Sequence, residues 1–137
     1  MIETYRGVVY PWECDFFNHL NVQHYVAKFD IGTWQFLSHC GLGPSYFRNE
    51  NRGMVGIEQN LRYYQELIPG DLVLIKSELL EVRSKSLRYR HVMYNITTDE
   101  IVAEAKFISV HINTQTRQSC EFPAEVKASL QLQMEES

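Results

Sequence analysis

The sequence predicts an α+β fold, a curved antiparallel sheet of about five strands wrapped around one long central helix. Two observations carry this reading. Over residues 22–40, apolar side chains recur at spacings of three and four, the period of a helix with one buried face. Most of the remainder reads as strand after strand, joined by connections of a few residues. Short connections demand antiparallel neighbours, because a parallel pair needs a long crossover.

Residues 4–12, rich in Tyr, Val and Trp, read as a first strand ending at Pro11. A compact polar stretch, 15–21, separates it from the helix. On the helix Val22, Tyr25, Val26, Phe29, Thr33, Phe36, Leu37 and Cys40 share one face. The opposite face carries His24, Lys28, Gln35 and His39, but also Ala27, Ile31 and Trp34, so contact from more than one side is expected. Asn21 or Asn18 can cap the start of the helix, and Gly41 can end it in the left-handed conformation. Over 54–64, Val55, Ile57, Leu61 and Tyr63 alternate with Glu58, Asn60 and Arg62, the period of a strand. Pro69-Gly70-Asp71 is a turn signal. Strands over 72–82, 87–96 and 101–112 follow, with polar breaks at 83–85 and 98–100. Another turn is expected at 113–117. Pro123 precedes a short helical piece, 124–132, and the polar tail 131–137 is expected to fray.

The chain of 137 residues suits one domain, 1–137, and its seven Phe, eight Tyr and two Trp give large side chains to bury. A formal net charge of −4 argues against a general nucleic-acid binder, though not against a local basic patch. The apolar runs, such as 72–75, are too short to span a bilayer, so no membrane partner is expected. Residues 1–6 include Glu3 and lack the apolar stretch of a secretion signal. Cys14, Cys40 and Cys120 form no CxxC pair, which suits a reducing cytoplasm. The five histidines show no metal-ligand spacing, and no cofactor is implied. Phosphate-loop and GxSxG patterns are both missing.

One stretch stands out: Asp15-Phe16-Phe17-Asn18-His19-Leu20-Asn21-Val22-Gln23-His24-Tyr25. It resembles the hotdog-fold thioesterases of the 4-hydroxybenzoyl-CoA thioesterase type. Those proteins carry an Asp, a Gly-His-Val/Met-Asn-Asn-like stretch and a Tyr at the start of the central helix. Asp15, His19, Asn21 and Tyr25 match in kind and spacing, while Asn18 stands where Gly is common. The segments 61–64 with 69–71, 85–87 with His91, and 114–117 with Pro123 match the family's later strands and turns in order.

The resemblance implies hydrolysis of an acyl-CoA thioester, with Asp15, His19 and Asn21 catalytic. Asp15 would act either as nucleophile or as general base. Backbone N–H groups of the turn 19–22 would polarise the carbonyl, helped by the helix dipole. Tyr25 and Asn18 are assigned to substrate binding. The resemblance also implies a homodimer or homotetramer with a site shared between subunits, so Glu58, Gln59 and Arg62 are candidates from a second chain. Lys85, Arg88 and Arg90 form the one basic cluster and could hold the phosphates of CoA; surface solubility explains them equally well. Two other readings are a hotdog hydratase or dehydratase acting on enoyl thioesters, and a non-catalytic acyl-CoA-binding module.

Overall fold

The computed structural model describes residues 1–136. The elements run β1 (Ile2–Val8), a 3-10 turn (Pro11–Glu13), α1 (Val22–His39), α2 (Pro44–Glu50), β2 (Arg52–Tyr63), β3 (Leu72–Val82), β4 (Ser86–Asn95), β5 (Glu100–Asn113) and α3 (Ala124–Glu136). The strands form one antiparallel sheet in the order β1-β3-β4-β5-β2, which makes β1 and β2 its edges. Burial alternates along the inner strands: Val73, Ile75, Ser77 and Leu79 on β3, and Leu87, Tyr89, His91 and Met93 on β4. That face packs against Phe29, Phe36 and Leu37 of α1 in a single core. This is the hotdog arrangement.

Four local features differ from the sequence reading. The first strand stops at Val8, because Val9 turns to pair with Gly70 and Asp71, and Pro11 then opens a 3-10 turn. A helix not expected from the pattern, α2, begins with Pro44 at its first position after Gly43. The tail expected to fray from residue 131 is helical through Glu136, anchored by buried Leu130 and Gln133; Ser137 lies outside the described residues. Lys28, expected on the exposed face of α1, is buried.

A polar chain runs through the core beneath α1. Thr33 Oγ1 lies 2.9 Å from His91 Nε2, Ser77 Oγ lies 2.5 Å from His91 Nδ1, and Thr4 Oγ1 lies 2.7 Å from Ser77 Oγ. Thr33 donates its own proton to the Phe29 carbonyl, so it accepts from His91 Nε2–H, and Nδ1 accepts from Ser77. The ring therefore carries one proton and no charge. A Cβ on Gly32 would come 3.2 Å from Thr4 Oγ1, so the bare glycine lets the helix approach β1 here.

Burial pushes the His91 imidazole from its usual 6.5 down to about 3. The unfolded chain thus binds a proton below about pH 6.5 that the folded chain refuses. Stability from this residue is complete above that pH and falls by about 1.4 kcal/mol per unit as the solution is acidified toward pH 3. Urea unfolding at pH 7 and pH 5 should show a smaller loss for His91→Gln than for the parent protein. Equal losses would exclude this residue as the source.

Candidate active site

The polar stretch before α1 is a closed loop. An isolated antiparallel bridge joins Cys14 to Leu20, and the Asp15 N–H bonds the His19 carbonyl at 3.0 Å. Within the loop the Asn18 N–H bonds the Asp15 carbonyl at 3.0 Å, and Asn18 sits at φ 61°. That left-handed conformation suits Gly and is tolerated by Asn, so Asn18 holds a backbone that a Gly at this position would also allow.

Asp15 is half-buried, and its Oδ1 accepts the Phe17 N–H at 2.9 Å. Its second oxygen takes no hydrogen bond from the described residues. Capping of α1 falls to Asn21, whose Oδ1 accepts the Gln23 N–H at 3.1 Å. Of the N–H groups expected to polarise a carbonyl, Leu20 is engaged by Leu67 and Asn21 by Glu13. Among the described residues, those of His19 and Val22 have no acceptor, and Val22 is the first residue of the helix.

Behind the loop stands a contact that periodicity conceals. Glu13 Oε2 lies 2.8 Å from the buried Lys28 Nζ, and Glu13 Oε1 accepts the Tyr10 N–H at 2.9 Å. Lys28 also donates to the Tyr5 hydroxyl at 3.3 Å. Burial works against ionisation of Glu13, but Lys28 and the Tyr10 N–H outweigh it and hold the carboxyl below its usual value. His24 Nδ1 lies 3.8 Å from the same Glu13 oxygen.

The start of α1 separates two hollows. One, of roughly 380 Å³, is lined by Trp12, Glu13, Asp15, Phe16, Asn21 and His24 among others. The other, of roughly 290 Å³, is lined by His19, Tyr25, Tyr63 and Glu66 among others. Asp15 and Asn21 therefore share one hollow, whereas the His19 side chain faces the other, its Nε2 lying 3.0 Å from Glu66. Tyr25 is buried edge-on to Tyr63, and burial pushes its hydroxyl up to about 12, so it stays a neutral phenol.

The remaining candidates are not gathered here. An irregularity between Gly56 and Glu58 breaks the alternation along β2. It turns Glu58 to the sheet face away from α1, and puts Gln59, opposite Phe107, on the helix side instead. Arg62 and Arg88 line the same outer groove as Glu58. Arg90 is spent on Glu78 at 2.6 Å and Glu104 at 3.9 Å, and Lys85 stands exposed between β3 and β4. The basic cluster thus splits among a turn, a groove and an ion pair, and none of the three lines the Asp15 hollow. Among the described residues, no three His, Cys, Asp or Glu side chains gather as a metal site.

This architecture has known counterparts. The family model described as the thioesterase-like superfamily matches residues 9–130. The chain belongs to the thioesterase-like superfamily. A betainyl-CoA thioesterase of Pseudomonas aeruginosa is 24% identical, over 96% of this chain and 82% of its own. An L-carnitine dehydrogenase/betainyl-CoA thioesterase of Ruegeria pomeroyi is 23% identical over 91% of this chain, which spans 25% of that longer relative. A Staphylococcus aureus protein solved in complex with CoA superposes with a TM-score of 0.89 at 21% identity, covering 98% of this chain and 87% of that one. That likeness speaks to the fold of this thioesterase; its family membership rests on the sequence match.

Proposed function

We propose that this acyl-CoA thioesterase acts through Asp15, a residue of one compact domain, 1–137. The observation that carries the reading is the division of labour at the start of α1. Asn21 caps the helix, so Asp15 is not needed for that task, and it keeps one carboxylate oxygen open to a hollow beside the helix start. A carboxylate so placed can attack a thioester carbonyl, with the Val22 N–H and the helix dipole favouring the developing oxyanion. No residue pair here favours the hydratase reading, and an open carboxylate at a helix start speaks against a purely binding module.

The acyl group we favour is small and cationic. Trp12 and Phe16 expose their rings at the hollow that Glu13 and Asp15 line, and a quaternary ammonium seeks aromatic faces beside negative charge. Two relatives are betainyl-CoA thioesterases by name, in keeping with this choice.

The assembly we propose is a dimer at least, paired through β2. That edge strand leaves Val55, Gly56, Ile57, Glu58, Gln59 and Asn60 exposed, and an unpaired edge invites a second strand. Ala27 and Trp34 of α1 lie open across a hollow of roughly 450 Å³ from Gly56 and Gln59, on the same side.

Three measurements test these proposals. Asp15→Asn should lower thiol release from acyl-CoA by about 10³-fold or more, with an unchanged urea unfolding curve; an unaltered rate would discard the mechanism. Betainyl-CoA should be preferred about tenfold over its uncharged isostere 3,3-dimethylbutyryl-CoA, each rate first divided by that of hydroxide hydrolysis. Trp12→Leu should shrink that preference, and equal corrected rates for the two substrates would remove the cationic assignment. By light scattering, the parent should exceed the 16.1 kDa of one chain, and Ile57→Lys should shift it toward that mass. A monomeric parent would sink the pairing.

A further inference from the structure

Taking Asp15 as the nucleophile, a premise inherited from the function proposed above, we infer that His24 is the base that activates the hydrolytic water, oriented by Glu13. His24 occupies the third position of α1 and lines the same hollow as Asp15. Its Nδ1 is turned toward Glu13 Oε2 at 3.8 Å, which leaves the opposite ring nitrogen, Nε2, for the hollow. Glu13 cannot swing away, because one oxygen is held by Lys28 and the other by the Tyr10 N–H. At 3.8 Å the contact is electrostatic and not a hydrogen bond; a carboxylate fixed on that side of the ring favours the imidazole tautomer that carries its proton on Nδ1 and its lone pair on Nε2. The charged or titratable groups around the ring are Glu13, Lys28, Asp15 and Cys14, and Glu13 and Lys28 neutralise each other. The histidine of the loop lacks this setting: His19 spends its Nε2 on Glu66 across the second hollow.

The chemistry balances in two stages. An Asp15 carboxylate oxygen bonds to the acyl carbon, the carbon–sulfur bond breaks, and CoA leaves as thiolate. The product is a mixed anhydride between the acyl group and Asp15. Water then adds through its oxygen to the acyl carbon while His24 Nε2 takes one of its protons. The bond from the acyl carbon to the Asp15 oxygen breaks, freeing the acid and restoring the carboxylate, and the imidazolium proton passes to the thiolate. His24 thus serves the second stage and not the first.

Rapid mixing with betainyl-CoA and a thiol reagent reads the two stages apart. His24→Ala should give a burst of about one thiol per site, followed by a steady rate lowered about 10²–10⁴-fold. Free imidazole should raise that slow rate and leave the parent enzyme unaffected. His24→Gln, which keeps more of the packing, should show the same burst without rescue. A steady rate within threefold of the parent, or slowing of both stages with no burst, would overturn the role of His24. Silence of the parent toward every acyl-CoA tried would instead overturn the thioesterase mechanism at Asp15, and this inference with it.

Discussion

The Glu13–Lys28 ion pair is the contact on which the loop before α1 and the first turns of that helix depend. Lys28 is buried, with its ammonium between a carboxylate and the Tyr5 hydroxyl, 5.6 Å from the centre of the Tyr5 ring. Removing water from an ammonium costs several kcal/mol, and a partner carboxylate with good geometry offsets that cost. Left alone, either charge would be a strong destabiliser. The pair therefore forces β1, the turn before the loop and α1 into one arrangement. Asp15 follows Glu13 by two residues, and His24 precedes Lys28 by one helical turn. A single buried contact thus fixes the approach of both groups to the hollow they share.

Periodicity made the long elements legible and hid this contact. The spacing of apolar residues locates α1 to within a residue, and β3 matches its expected range at both ends. Hydropathy assigns a lysine to the solvent side, because it cannot see a glutamate fifteen positions upstream that will neutralise it. The same blindness explains His19. Its spacing from Asp15 looks like cooperation, but the tight turn at Asn18 sends the two side chains to different hollows. Along β2, strict alternation holds for Glu58, Asn60 and Arg62 against Leu61 but not for Val55 and Ile57, because an extra residue after Gly56, a residue type that often marks a bulge, shifts the phase. The signal for α2 was available in Gly43-Pro44, since Pro is at home at a first helical position.

In the loop itself, Asn18 does what a Gly could also do. The loop's hairpin-like closure, from the Cys14–Leu20 bridge to the Asp15–His19 bond, needs one residue with positive φ. Gly meets that need without a side chain. Asn meets it at small cost, because its short polar side chain tolerates the left-handed region.

Apolar packing alone would leave the depth and register of α1 loosely specified, since Phe29, Phe36 and Leu37 could find comparable contacts after a small slide. Two polar contacts remove that freedom. Lys28 answers Glu13 at the β1 side, and Thr33, five residues on, answers His91 over β4. A helix displaced along its axis would break both and strand an ammonium and an imidazole in the core, each far costlier than a lost methyl contact. The neutrality of His91 matters here, because an uncharged ring can remain buried while holding partners on both nitrogens. The polar groups inside this core therefore act less as a source of stability than as a gauge, setting where the helix begins and hence where its first turn meets the carboxylate.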